Sequence, residues 1–310
     1  MLPINPYIAG YPVGGGRAFI GRADVMREVV RTLRRPHENA LLLYGQRRIG
    51  KTSVLQELRE RLPKQGNYLP VYFDLQDQAS LPFRELLVGL ARCIKQELNL
   101  DLPDLEKNDI ETKFREEFLP QVLSCFPEDS SVVLLLDEFD VLDNPTQEQA
   151  SRAFFPYLRQ LLTDHTQRLQ FIFVIGRRPD DLTNISTSIF KATRSYSVSL
   201  LSREDTSSLV RLSEKNRSLS WLKESVDKVY ELTGGHPFIT QQLCQEIWEK
   251  SYQNDPQEIP IITEDQVEVS IPAALNGARQ ALEWLWDGLN SAERVVAAAL
   301  AGEGPQLITQ

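Results

Sequence analysis

ALLLYGQRRIGKTSVLQEL, residues 40–58, is the stretch on which the fold turns. Residues 40–44 are a short apolar run, best read as a buried strand. Gly45 and Gly50 then bound a loop, and Lys51 and Thr52 open an amphipathic helix to about residue 61. This is the pattern GxxxxGK[ST] in the strand-loop-helix setting that its chemistry requires. The two glycines let the backbone bend until main-chain N–H groups point at phosphate oxygens. The expected cradle is Gly45, Gln46, Arg47, Arg48, Ile49, Gly50, Lys51, Thr52 and Ser53. Lys51 is placed to reach the β- and γ-phosphates, and the Thr52 hydroxyl to ligate Mg²⁺. The following helix turns the positive end of its dipole toward the anion. The stretch reads as a nucleoside triphosphate site.

Working outward, 310 residues suggest two domains or three small ones, and 42% hydrophobic residues allow a large core. Cys93, Cys125 and Cys244 are odd in number and scattered, and three histidines cannot build a zinc cluster from local spacing. A reduced, cytoplasmic protein is expected. The opening MLPINPYIAGYPVGGG has no basic region and no continuous apolar core, and no eighteen apolar residues run together, so no signal peptide or membrane span is expected. The net charge is −9, yet residues 1–65 hold twelve Lys or Arg against five Asp or Glu, a balance of +7 that leaves −16 for the rest. That field would draw in a polyphosphate. Equally, Arg27, Arg31, Arg34 and Arg35 would form the solvated face of a helix. An acidic chain disfavours general nucleic-acid binding without removing a local basic face.

Residues 22–35 carry apolar positions at helical spacing up to Pro36. Further strands are expected at 68–75, with Pro70 near a sheet edge, and at 131–136, 170–175 and 195–200. Helices are expected at 81–98, 110–124 and 147–163. Strands interleaved with helices imply an α/β fold with a parallel sheet. After Leu201 the pattern becomes helical, with Ser202 and Asp205 opening a helix and further helices near 203–213, 220–232 and 236–251. No strand is expected over the following eighty residues or so. Residues 254–260 read as a polar loop, Thr263 and Gln266 as a capping box, and 278–301 as helical with a break at 288–291.

VVLLLDEFD, residues 132–140, sets two carboxylates at the carboxyl end of an apolar strand, where ligands sit in open parallel sheets. Asp137 is expected to hold Mg²⁺ through water, and Glu138 to polarise the water that attacks the γ-phosphate. Eighty-six residues separate Lys51 from Asp137, room for an intervening strand and two helices. Arg177 and Arg178 follow the fourth strand; one would sense the γ-phosphate, or else form a surface pair with Asp180 or Asp181. Gly234, Gly235, His236 and Pro237 form a tight turn, either a plain helix cap or a lid turn that presses proline on a base.

Taken in order, FIGR (residues 19–22), YGQRRIGKTS, LLLDEFD, VIGRR and TGGHPF resemble the STAND branch of AAA+-related ATPases, which is similar to origin-recognition and archaeal-type ATPases. The resemblance spans about residues 17–250. It implies ATP or ADP with Mg²⁺, with Phe19, Ile20 and Arg22 along the adenine. It also implies Arg177 as sensor and Pro237, with His236, at base or ribose. The implied fold is a five-stranded sheet of order 5-1-4-3-2 flanked by helices, then an all-helical lid and the start of a winged-helix domain. Adenine over guanine rests on the resemblance, since no NKxD motif occurs.

The corresponding domains are 1–36, an amino-terminal segment and helix; 37–202, the ATPase body; 203–275, the lid; and 276–310, the winged-helix opening. Asn290 and Glu293 would cap that opening, which stops short of a recognition helix, as a truncated chain would. No arginine can be assigned as a finger for a neighbouring subunit. The expected function is an ATP-binding, slowly hydrolysing switch, with protein partners or self-association through regions outside this chain. The rivals are a DNA-associated ATPase and a nucleotide-binding scaffold that never hydrolyses.

Overall fold

Period-two alternation within three apolar strands builds the molecule. The computed structural model describes residues 3–35, 37–78, 81–105, 109–143, 148–164, 167–182, 190, 193–253, 255, 258–289 and 291–303. Pro36, residue 147, Asn254, Asn290 and residues 304–310, all used in the readings above, lie outside them. The chain forms two compact units, Tyr11–Leu201 and a second made of Met1–Gly10 with Ser202–Gln310. The first 36 residues thus divide at Gly10.

The larger unit contains α1 (Ala23–Leu33), β1 (Ala40–Tyr44), α2 (Lys51–Gln65), β2 (Tyr68–Asp74), α3 (Phe83–Glu97), β3 (Ser131–Asp137), β4 (Leu169–Ile175) and β5 (Arg194–Ser197). The strands are all parallel in the order β2-β3-β4-β1-β5, the implied 5-1-4-3-2 read from its other edge. Pro70 lies in β2, an edge strand, where a missing N–H is tolerated.

β3 and β4 are buried along their whole length. Alternate residues therefore feed two cores. Val132, Leu134, Leu136, Phe171, Phe173 and Leu42 pack with α3 and with the helical segments 110–124 and 148–163. Val133, Leu135, Ile172, Val174, Leu41 and Leu43 pack with α1 and α2. The result is a three-layer sandwich in which the carboxyl ends of β1, β3 and β4 share one edge. The segment 110–124 is helical as expected, with a π turn at Phe114–Phe118 in its middle. Arg27, Arg31 and Arg34 are exposed on α1, the solvated-face reading of that charge run.

In the smaller unit Ser202 accepts from the Asp205 N–H, and Thr263 with Gln266 forms a capping box, both as expected. Two expectations fail. Ser220–Trp221 and Ile261–Ile262 pair as a short parallel ribbon where no strand was expected, because two-residue strands carry no readable period. The helix expected from 278 begins at Glu264 and runs unbroken to Asp287, through Pro272. Expected helices at 203–213 and 220–232 are Arg203–Val210 with Leu212–Lys215, and Lys223–Thr233. Among the described residues no helix is long and apolar enough to cross a membrane.

Phe139 follows β3 and Glu138, with its ring among Phe154, Phe155, Phe173 and Phe190 and its centroid 4.8 Å from that of Phe173. Phe139→Ala should lower the unfolding free energy by about 3–5 kcal/mol, by lost transfer plus cavity. Urea denaturation checks this, and a loss under about 1 kcal/mol would show that the cluster repacks freely.

Candidate functional site

The site begins where β1 runs out. A Cβ on Gly45 would lie 2.4 Å from the Val198 carbonyl oxygen, so no other residue lets the chain turn there without displacing β5's continuation. Gly50, with φ 95°, and Arg48, with φ 58°, complete the reversal into α2. Lys51 is only 5% exposed. Its ammonium donates to the carbonyls of Gly45 at 3.0 Å and Gln46 at 2.9 Å, two of its three N–H bonds. Burial pushes its pKa down, and the carboxylates of Glu138, Asp140 and Asp137 push it back up. Gln46 and Arg47 are exposed on the loop, while Ile49 anchors it in the core.

Asp137 ends β3 and is 1% exposed. The Tyr72 hydroxyl of β2 donates to its Oδ2 at 3.0 Å, and the Glu138 N–H to its Oδ1 at 3.0 Å. The Thr52 side chain is near enough to this carboxylate to hold its pKa down. Burial raises the pKa of Asp137 against those bonds. Burial raises Glu138 as well, opposed first by Lys51. Glu138 stands in left-handed backbone, φ 48°, a strained conformation for a residue with a side chain.

The oxygen donors suit Mg²⁺, which takes one or two protein ligands and fills its octahedron with water and phosphate oxygens. Thr52 and Asp137 are neighbours, and among the described residues no group of three or more His, Cys, Asp or Glu side chains forms a metal cage. The loop's glycine turns and Lys51 likewise fit a polyphosphate.

Arg177 follows β4 and pairs with Asp140 and Asp143, not with Asp180 or Asp181. Arg22, from the expected adenine-side segment, is buried, and its guanidinium donates to the carbonyls of Ile49, at 2.8 Å, and Ser199. It thereby ties that segment to the loop. Phe19 and Ile20 are half-buried beside it, Phe19 against the α1–α2 core.

Sequence reasoning passed over residues 13–16. Val13 N–H donates to Ser53 Oγ at 3.1 Å and Gly15 N–H to Glu57 Oε2 at 2.7 Å, while a Cβ on Gly14 would meet Gln56 Cβ at 2.3 Å. Three successive glycines were the available signal of such close backbone approach. His236 and Pro237 belong to the smaller unit. There Gly234 and Gly235 take positive φ, His236 caps the helix and Pro237 is its first residue.

The AAA ATPase domain family pattern matches residues 18–175, over half of the chain. No protein of curated function matches it in sequence. Among solved structures it is similar to the Walker-type ATPase PABY2304 of Pyrococcus abyssi, at 13% identity and a TM-score of 0.58, over 86% of this chain and 75% of that one. The ORC1 protein of Aeropyrum pernix, solved in complex with DNA, gives 13% identity and 0.56 over 93% and 74%. The FIGL-1 AAA domain, solved with ADP, gives 14% and 0.55 over 96% and 92%. At such identities the likeness establishes the fold.

Because the Asp137 carboxyl is held above its ordinary range, the folded protein binds that proton more tightly than the unfolded chain. This opposes folding at neutral pH and disappears once both states are protonated. Asp137→Asn should therefore raise the melting temperature at pH 7, with the gain vanishing below about pH 4. A lower melting temperature at pH 7 would mean that the bonds from Tyr72 and the Glu138 N–H outweigh the burial.

Proposed function

This chain belongs to the AAA ATPase domain family, and on that footing we propose that it is an ATP-dependent conformational switch of the signal-transduction type, which hydrolyses slowly and reports its bound nucleotide through the helical unit. The observation that carries the reading is the convergence of Lys51, Thr52, Asp137 and Glu138 on one edge of the sheet, with Thr52 beside Asp137 and Lys51 in the field of both acids.

In this reading the third N–H of Lys51 meets the β- and γ-phosphates. Thr52 and Asp137 hold Mg²⁺, which when bound neutralises phosphate charge. Glu138, its carboxyl raised by burial, orients a water and takes its proton. Arg177 stands by the terminal phosphate, and Phe19, Ile20 and Arg22 form the base side. His236 and Pro237 stay with base or ribose on the resemblance. A cytoplasmic setting and protein partners go with it.

A second reading, a DNA-associated ATPase, draws on the exposed Arg27, Arg31 and Arg34 and on the DNA-bound ORC1 neighbour. The first reading expects no duplex retention in a gel-shift titration at low salt. Retention that weakens steeply with added salt would favour the second, since phosphate neutralisation releases counterions.

Lys51→Ala should weaken ATP binding by about 100-fold or more in calorimetry, through loss of a buried charge-assisted contact. Glu138→Gln should keep ATP affinity while phosphate release falls by about 100-fold or more. Unchanged affinity in the lysine variant would refute the site, and undiminished turnover in the glutamine variant would refute the role of Glu138.

A further inference from the structure

We propose that Asp140, assisted by Asp143, is the positioning residue that presents Arg177 to the terminal phosphate and so gives the site its preference for a triphosphate over a diphosphate; this rests on the nucleotide reading above. Asp140 acts on two consecutive residues. Its Oδ1 accepts the Gly176 N–H at 3.1 Å, fixing the backbone where β4 ends, and its Oδ2 accepts Arg177 Nε at 3.2 Å. Arg177 Nη2 donates to the Asp140 carbonyl at 2.8 Å and to Asp143 Oδ2 at 3.4 Å.

An ordinary surface pair joins two exposed, mobile side chains and is worth little. Here the side chains of Asp140 and Asp143 are 11% and 2% exposed, against 41% for Arg177. The acids are fixed and the cation is mounted on them. Three acceptors engage one edge of the planar fork, and Nη1 carries no hydrogen bond among the described residues, so one face of the guanidinium stays available in a set orientation. Lysine could not be oriented this way.

The mounting joins two catalytic pieces. Asp140 and Asp143 lie in the 3-10 turn Phe139–Asp143, which starts beside Glu138 and is anchored by Phe139 in the aromatic core. Glu138, just after β3, and Arg177, just after β4, are therefore linked through the turn that carries Asp140. Asp140 is also close enough to Lys51 and Glu138 for its charge to act on both. The guanidinium that would discriminate the γ-phosphate is thus held at the same edge as the phosphate lysine.

The test is the affinity of the whole chain for ADP and for a non-hydrolysable ATP analogue, both with Mg²⁺, by calorimetry. Asp140→Asn should reduce the preference for the triphosphate by about tenfold while ADP affinity stays within about twofold, the loss of one charge-assisted contact. Arg177→Gln should do the same, the double variant should lose no more than either single one, and Asp140→Glu should restore part of the preference.

The inference is overturned if Asp140→Asn leaves the preference unchanged, if it raises the preference, as release of a sequestered arginine would, or if the two effects add. Should Asp140→Asn fail to fold, Arg177→Gln decides by itself, since an intact preference in that variant removes the contact altogether. Wild-type protein that binds neither nucleotide would instead refute the nucleotide reading. Binding lost in Lys51→Ala but unaltered in Arg177→Gln refutes only the present one.

Discussion

A lysine and an aspartate, both almost fully buried, face the same edge of a parallel sheet, and the rest of the larger unit is arranged to keep them there. Neither charge is stable alone in such a place. Removing an ammonium or a carboxylate from water costs several kcal/mol each after relaxation, and attraction offsets this only with good geometry and further hydrogen bonds. Those bonds are present: two loop carbonyls for Lys51, and for Asp137 a tyrosine hydroxyl and a main-chain N–H. Burial pushes the lysine pKa down and those of both acids up, against these contacts. A polyanion with a divalent cation is the ligand whose charges would complete this set.

Such an arrangement needs a stiff frame, because strain accompanies it. Glu138 in left-handed backbone and the turns at Arg48 and Gly50 persist only where neighbours over-determine them. The neighbours are Phe139, locked into an aromatic cluster, Ile49, buried beneath the loop, and Arg22, which bonds the Ile49 carbonyl. The two hydrophobic cores on either face of the sheet thus fix the site's backbone, through residues adjacent in sequence or hydrogen-bonded to Glu138 and the loop.

The sheet and the phosphate loop were legible in the sequence because their physics is local. Apolar runs at 40–44, 131–136 and 170–175 announce strands covered on both faces, and the glycine-lysine octet needs only its own neighbours to be read. The strand order followed from a family resemblance, since periodicity says nothing of which strands pair. What escaped depends on distant partners. That Arg22 braces the loop through the Ile49 and Ser199 carbonyls could not be read from its place in the FIGR segment. Asp140 passes for the tail of an acidic motif until β4 brings Gly176 and Arg177 to it across 36 residues or more. The ribbon of Ser220–Trp221 with Ile261–Ile262 joins segments too short to show any period.

The amino-terminal segment shows how such long-range contacts add up to organisation. Residues 4–9 are bonded along the smaller unit: the Ile4 carbonyl accepts from Asn216, the Tyr7 hydroxyl meets the Val210 carbonyl and Ser213, and the Ile8 and Ala9 N–H groups donate to Gln241 and Gln245. Residues 13 and 15 are bonded to the first turns of α2, directly behind the phosphate loop. The chain therefore passes from one unit to the other twice, at Gly10–Tyr11 and at Leu201–Ser202. After the first passage residues 13 and 15 bond side chains of α2 before the chain enters α1, and the second passage follows β5, beside which Gly45 turns.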